Sequence, residues 1–110
     1  MGRPVVNRYY IARKQAVMQG RTRLWQAMRI LREFTAHELC ATCETKIQPV
    51  RNFVNQLRIA GFVIVAHKGD RARHVPARYR LIRNTGPKCP ALVRGRRVFF
   101  DPNTDQEYPL

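Results

Sequence analysis

The chain has 110 residues and a strongly basic composition, and both properties limit what it can be. Lys and Arg number 21 against seven Asp and Glu, which gives a formal net charge of +14 and a pI near 11.2. The length suits one compact domain with tails, because domains typically run to ~100–150 residues. A hydrophobic fraction of 45% argues against a disordered polypeptide. So large a positive charge favours a polyanionic partner, namely nucleic acid, an anionic membrane surface or an acidic protein.

Several classes of protein are disfavoured by the apolar runs and the cysteines. The longest apolar run, Phe62–Ala66, is far shorter than the ~20 residues of a transmembrane helix. The N-terminal segment stays basic and has no apolar stretch of signal-peptide length, so we expect no export. Cys40, Cys43 and Cys89 form an odd set, which fits a reducing cytoplasm better than a disulfide framework. We therefore expect a cytoplasmic protein, associated with the nucleoid if DNA is its partner.

Residues 1–21 form a basic leader that contains no acidic residue. Within it, Asn7–Gln19 is predicted to form a helix that ends at Gly20. A solvated, partly disordered end is the alternative to an arm that reaches along a DNA groove. In the second interpretation the leader supplies DNA backbone or minor-groove contacts from Arg3, Arg8, Arg13 and Lys14.

Residues 22–83 carry the clearest patterns and are predicted to fold as the main domain. Thr22 can cap a first helix that runs to about Glu33. Trp25 lies on the flank of this helix, where core packing is favoured over stacking on a base. The apolar stripe of the helix is expected to contain Leu24, Ala27, Met28 and Leu31.

A second helix follows a sharp start signal. Thr35 and Glu38 have the spacing of a capping box, in which each side chain bonds to the other residue's backbone N–H. The helix is therefore predicted to begin at Ala36 and to end near Thr42–Glu44.

The third helix is predicted to begin between Lys46 and Pro49 and to continue to Ala60. Gly61 marks its end, because glycine adopts the left-handed conformation after a helix without strain. The buried side is predicted to be a stripe at helical spacing formed by Val50, Phe53, Val54 and Leu57.

Two β-like runs follow the third helix, Phe62–Val65 and Arg78–Ile82, and a long basic loop, 67–77, joins them. Three helices followed by a β-hairpin is the order of a winged helix-turn-helix, so the predicted fold class is α+β with the loop as the wing. Residues 84–110 are predicted as an irregular, Gly/Pro-punctuated extension with one strand-like run, Arg97–Phe100. This extension could fold back on the wing or mediate assembly, and the sequence does not choose between them.

The outer side of the third helix carries the residue types that read bases. Adenine offers N6 and N7 to Asn or Gln, and guanine offers O6 and N7 to Arg. We therefore predict base reading in the major groove by Gln48, Arg51, Asn52 and Asn55, with a merely solvated polar face as the alternative. Arg71 and Arg73 of the loop could enter a minor groove or straddle phosphates, unless the loop is a disordered, solvated one. Backbone or minor-groove contacts are predicted for Lys46, Arg58, Lys68, Arg71, Arg73, Arg78 and Arg80.

Metal binding and catalysis have little support in the sequence. His37, Cys40 and Cys43 have a spacing that invites a zinc site, but a structural zinc needs four ligands and these three would converge only on a distorted helix. Buried thiols are the favoured interpretation, and we expect no metal and no cofactor. The scattered carboxylates, the lack of a Gly-rich phosphate loop and the lack of a nucleophile motif predict that the chain is not an enzyme.

Four stretches of the chain resemble a family of small winged-helix proteins that Mu-like transposable phages and prophages encode. They are RLWQAMRILREFT, VRNFVNQLRIAGFV, YRLIRNTGPKCP and FDPNT, and the likeness spans roughly residues 22–104. The resemblance implies a phage-encoded DNA-binding protein that acts as a regulator, and it supplies no established activity. The chain departs from the family's pattern at Cys40 and Cys43, where small or polar residues are expected, which further disfavours a metal.

The sequence thus predicts sequence-specific binding of double-stranded DNA, with helix 46–60 in the major groove and transcriptional regulation as the purpose. The main alternative is a protein-interaction module that binds an acidic host or phage protein through its basic surface. A structured RNA is a third possible partner. A homodimer is common among such regulators, but no coiled-coil repeat here predicts one.

Overall fold

The computed structural model describes residues 8–93 and 95–110, with side chains from residue 20 onward. This part of the chain is an α+β protein with three helices and two small antiparallel sheets, which confirms the predicted class. The order of helices and strands is compatible with a winged helix. In chain order the elements are α1 (Arg8–Leu31), β1 (Glu33–Phe34), α2 (Ala36–Cys43), α3 (Ile47–Ala60), β2 (Val63–His67), β3 (Arg78–Leu81), β4 (Ala91–Leu92), β5 (Val98–Asp101) and β6 (Gln106–Pro109).

The long first helix corrects the predicted break between the leader and the domain. α1 is continuous through Gly20, so Gly20 does not end a helix and Thr22 does not begin one. A glycine inside a helix costs only ~1 kcal/mol relative to alanine. Burial of each large side chain in the following turns contributes ~1.5–3 kcal/mol, which outweighs that cost. The buried residues of these turns are Leu24, Trp25, Ala27 and Met28.

The end of α1 also differs from the prediction. The helix stops at Leu31, two residues early, because Arg32 adopts a left-handed conformation with φ of 65° and its carbonyl accepts a hydrogen bond from the Leu81 N–H at 2.8 Å. Leu31 is 40% exposed and does not join the core, whereas Trp25 is fully buried, as expected for a packing residue. The backbone after the helix pairs with β3 instead of extending α1.

Local signals place α2 where the sequence predicted it. The Thr35 hydroxyl accepts a hydrogen bond from the Glu38 N–H at 3.1 Å, and the Glu38 carboxylate accepts one from the Thr35 N–H at 3.3 Å. This is the predicted capping box. The helix ends at Cys43, and Glu44 follows in the left-handed conformation.

The predicted bounds of α3 are confirmed at both ends. The N–H of Phe62 donates to the Leu57 carbonyl at 2.9 Å, and that of Gly61 donates to the Arg58 carbonyl at 3.1 Å. These two bonds form a Schellman motif, for which the φ of 89° at Gly61 is required. The inner side of the helix is buried as predicted, at Val50, Phe53, Val54 and Leu57, with Ala60 added.

The first sheet holds the base of the 67–77 loop. Its order is β1-β3-β2, with both pairs antiparallel, and it includes a short strand, β1, that was not predicted. β2 and β3 agree with the predicted strands to within two residues. A shift of register between Val65 and His67 bends β2 just before the loop.

The C-terminal extension corrects the prediction of an irregular tail. Residues 91–109 contain a second antiparallel sheet of order β4-β5-β6, and β5 matches the predicted strand-like run. Phe99 of β5 is fully buried, with its ring centroid 6.4 Å from that of Phe53 and 6.3 Å from that of Phe62. Tyr108 of β6 also meets Phe62, at 4.7 Å between centroids. The extension is ordered because these aromatic side chains belong to the same core as α3.

A polar network holds the start of the extension against its second hairpin. The Asn103 amide donates to the carbonyl of Lys88 at 2.7 Å and to the hydroxyl of Thr85 at 3.1 Å. Its oxygen accepts from the Lys88 N–H at 3.1 Å. The Gly86 backbone lies against the same Asn103 amide, so that a Cβ at Gly86 would be 2.7 Å from the amide oxygen. The carbonyl of Gly86 accepts a hydrogen bond from the Trp25 indole at 2.9 Å. The extension is therefore fixed to α1 as well as to α3.

Candidate nucleic-acid interface

The outer side of α3 is open, opposite the side that builds the core. All four predicted base-reading residues are exposed, and the C-terminal extension packs on the inner side of the helix through Phe53. A fifth exposed residue, Ile59, lies on the same side, one turn beyond Asn55, with half of its surface accessible. Sequence reasoning missed Ile59, although its spacing from Asn52 and Asn55 is the helical one. An apolar side chain in this place suits the C5-methyl group of thymine.

Side-chain hydrogen bonds divide this outer side of α3 into two pairs. The Gln48 amide nitrogen donates to the Asn52 amide oxygen at 2.9 Å. The Arg58 guanidinium donates twice to the Asn55 amide oxygen, at 2.9 and 3.3 Å. Arg51 is exposed and makes no ion pair with the described residues. Four of these five side chains are therefore oriented before any partner arrives.

The start of α3 is suited to a phosphate. Lys46 is the N-cap residue and is exposed, but its side chain makes no capping hydrogen bond, and the first turn contains no acidic residue. The first backbone N–H groups of a helix lack intrahelical acceptors and carry the positive end of the helix dipole, so they attract anions. Lys46 adds a full positive charge at the same end.

The 67–77 loop folds back on itself as a closed turn. Asp70 and Val75 exchange two backbone hydrogen bonds, at 2.8 and 2.9 Å, and Asp70 also accepts from the Ala72 N–H at 3.0 Å. The two arms approach closely at Gly69, where a Cβ would lie 2.8 Å from backbone atoms of Val75 and Ala77. The loop thus has a defined fold in the structure, and it presents an exposed tip.

The charges on this loop are not equivalent. Arg73 lies 3.6 Å from the Asp70 carboxylate in an exposed pair, which contributes little to stability. Lys68 and Arg71 are exposed and make no ion pair within the described part of the chain. Lys68 and Arg71 are therefore the better candidates for contacts with phosphates or a minor groove.

Arg78 has a different environment from the other predicted backbone contacts. Its guanidinium lies 3.1 Å from the Glu38 carboxylate of α2 and 3.5 Å from that of Glu33 in β1. His67 also approaches Glu33, at 3.9 Å. Arg78 thus ties the base of the loop to the first turn of α2, and two carboxylates already offset its charge. Arg80, two residues along β3, is exposed and has no such pairing among the described residues.

The basic leader lies mostly outside this description. Arg3 is not among the described residues. Side chains are described only from residue 20 onward, so those of Arg8, Arg13 and Lys14 are not described either. Their predicted contacts with the DNA backbone or minor groove stay predictions.

The three cysteines are free thiols in unequal environments. Burial raises the pKa of the Cys89 thiol to about 12, the nearby Asp101 adds to the rise, and Arg21 opposes it. Burial also raises the pKa of the Cys43 thiol. Among the described residues, no group of three or more His, Cys, Asp or Glu side chains could hold a metal ion.

These environments predict an order of thiol reactivity. Because the thiolate is the reactive form, we expect iodoacetamide at pH 8 to alkylate Cys89 at least about tenfold more slowly than the half-buried Cys40 in the folded protein. Peptide mass mapping over time measures both rates. In guanidinium chloride the two rates should converge, and equal rates in the folded protein would contradict the raised pKa of the Cys89 thiol.

Comparison of the chain with models of protein families, with curated proteins and with solved structures gives no match. Among the described residues, no helix has the length and apolar character that crossing a membrane requires.

Proposed function

We propose that this chain is a winged helix-turn-helix protein that binds double-stranded DNA in a sequence-specific manner. α3 enters the major groove, and the 67–77 loop lies on the minor groove or on phosphates. The observation that supports this proposal most strongly is the exposed outer side of α3, which presents amides and arginine and no carboxylate. The opposite side of the helix is buried in the core. Side chains of this kind match the donor and acceptor pattern of purine edges.

The charges around α3 support the same proposal. Lys46 lies at the start of the helix, and Lys68 and Arg71 lie on the loop that follows β2. Arg80, on the adjacent strand β3, adds another exposed charge. Exposed basic groups of this kind are suited to bind phosphates and to set the register of a reading helix, without reading sequence themselves. The net charge of +14 also favours fast, salt-dependent association with a polyanion.

The purpose we propose is transcriptional regulation, by a protein of phage or prophage type that acts at the nucleoid and is not an enzyme. Its target sequence would be found by selecting bound duplexes from a random pool. A homodimer would appear in that selection as a pair of repeated half-sites separated by about one turn of DNA.

Two substitutions, one within α3 and one at its N-cap, test the proposal by separating contacts to bases from contacts to phosphates. We expect Asn52→Ala to weaken binding to the selected duplex by ~1–3 kcal/mol and binding to random duplex much less, because the lost contact is to a base edge. Lys46→Ala should weaken binding to both duplexes similarly, because it removes a phosphate contact. Fluorescence anisotropy at fixed low salt measures the dissociation constants of the unaltered protein and of both variants on each duplex.

Gln106→Ala is the matched control, because it removes an exposed amide from β6, which is not part of the proposed interface. It should change neither dissociation constant. Equal losses on both duplexes for Asn52→Ala would remove it from base reading. If no duplex binds even at low salt, the proposal is wrong and an acidic protein partner is favoured. Stronger binding to structured RNA than to duplex DNA in direct competition would also overturn it.

A further inference from the structure

The two amide side chains in the middle of α3, Asn52 and Asn55, differ in their remaining hydrogen-bonding capacity. An amide oxygen has two lone pairs, and an amide nitrogen has two N–H donors. An amide that reads adenine must accept and donate at once, because its oxygen accepts from N6–H and its nitrogen donates to N7. An asparagine can therefore read adenine only if its oxygen has a lone pair to spare.

Asn52 meets this condition. Its oxygen accepts a single hydrogen bond, from the Gln48 amide at 2.9 Å, so one lone pair and both N–H donors remain. If both amides were flipped, the Asn52 nitrogen would donate to the Gln48 oxygen, and Asn52 would still keep a free lone pair and a free N–H. The two residues are exposed and lie one helical turn apart, so their side chains can meet on the outer side of the helix. Through this hydrogen bond Gln48 acts as a positioning residue that holds the Asn52 amide.

Asn55 is bonded to a charged partner instead. Two donors of the Arg58 guanidinium, Nε and Nη2, converge on the Asn55 oxygen at 3.3 and 2.9 Å. This forked bond ties the Asn55 oxygen to a charged donor, and the N–H groups of Asn55 and Arg58 that remain make the pair rich in donors. A donor-rich group suits the O6 and N7 acceptors of guanine better than the edge of adenine, which itself carries the N6 amino donor.

Resting on the proposed binding of duplex DNA, we propose that α3 reads two different purines through these two pairs. Asn52, oriented by Gln48, reads an adenine. Asn55 and Arg58 together read a guanine and favour it over adenine at their own position. Arg58 is then a base-reading residue and not only a phosphate contact, and Gln48 acts through Asn52 and not on a base of its own.

The test measures base preference at single positions. Bound duplexes are selected from a random pool with the unaltered protein, and each fixed base pair is then replaced in turn for Gln48→Ala, Asn52→Ala, Asn55→Ala and the control Gln106→Ala. At the base pair contacted by Asn52, the unaltered protein should bind the duplex with adenine about 5- to 150-fold more tightly than duplexes with another base. Asn52→Ala should abolish that preference, and Gln48→Ala should reduce it at the same base pair.

The doubly substituted Gln48→Ala, Asn52→Ala protein tests whether the two residues act as one unit. We expect it to lose no more adenine preference than Asn52→Ala alone, because Gln48 acts through Asn52. Asn55→Ala should keep the adenine preference and relax a guanine elsewhere in the site. Since all of these side chains are exposed, the variants are expected to fold, and a general loss of structure would lower binding to every sequence alike.

The outcomes separate this inference from the proposed function. If Asn52→Ala leaves the base preference unchanged, or if Gln48 and Asn52 affect different base pairs, the inference fails while duplex binding stands. It fails equally if Asn55→Ala relaxes an adenine. If the unaltered protein binds no duplex at low salt, both fail.

Discussion

Replacing Phe99 with alanine is expected to lower the free energy of unfolding by ~3–5 kcal/mol. The ring is fully buried and meets the rings of Phe53 of α3 and Phe62, which precedes β2. Its removal would leave a cavity between the C-terminal sheet and α3. Since domains of this size are stable by ~5–15 kcal/mol, the loss is a large share of the total.

Urea denaturation followed by tryptophan fluorescence measures this effect, because Trp25 lies in the same core. Leu92→Ala is the matched control, since Leu92 belongs to β4 of the same sheet but is 41% exposed. We expect the control to cost less than ~1 kcal/mol. A loss below ~1 kcal/mol for Phe99→Ala would contradict the inclusion of the extension in the core.

Raising the salt concentration from about 50 to 200 mM is expected to weaken DNA binding by about 10³- to 10⁵-fold, if the protein neutralises about six to ten phosphates. Each neutralised phosphate releases condensed counterions, and added salt opposes that release. The exposed charges of Lys46, Lys68, Arg71 and Arg80 supply part of this number. The basic leader is predicted to supply more of it.

Single lysines test where the phosphates lie. Lys46→Ala should reduce the slope of log K against log salt by ~0.9, which is the contribution of one phosphate contact to B-DNA. Lys88→Ala is the control, because Lys88 is also exposed but lies in the extension, where its backbone bonds to Asn103. It should leave the slope unchanged. A slope near zero for the unaltered protein, or equal changes for both lysines, would contradict the proposed phosphate contacts.

Local sequence signals predicted α2 and α3 well because the groups that fix their ends are neighbours in the chain. The capping box of Thr35 and Glu38 spans four residues, and the Schellman motif at Gly61 depends on hydrogen bonds within six. Such motifs satisfy the end groups of a helix regardless of the tertiary structure. The periodic stripe of α3 then determined which side is buried.

The mistaken predictions concern contacts between distant residues. The continuity of α1 past Gly20 depends on a core to which α3 and β5 contribute. The second sheet depends on Phe99 reaching Phe53, and on the Asn103 amide bonding to residues 15 and 18 positions earlier. Sequence periodicity contains no record of such pairings, so the extension appeared irregular.

The sequence predicted which residues form the candidate site, but not the ion pairs and hydrogen bonds that their side chains make. Exposure of the outer side of α3 follows from the helical period. The pairing of Arg78 with Glu33 and Glu38 does not, because three elements must come together to form it. The difference between Asn52 and Asn55 likewise depends on side-chain conformations, since both have a potential partner at helical spacing.

Methylation interference tests the central claim, that α3 reads the major groove, most directly. Dimethyl sulfate methylates guanine at N7 in the major groove and adenine at N3 in the minor groove. Partially methylated duplex containing the selected site is bound by the protein, and the bound and free fractions are compared base by base. We predict that guanines methylated at N7 within the site are depleted from the bound fraction, and that Asn55→Ala and Arg58→Ala weaken this depletion. Depletion only of adenines methylated at N3, or of no base at all, would contradict the claim.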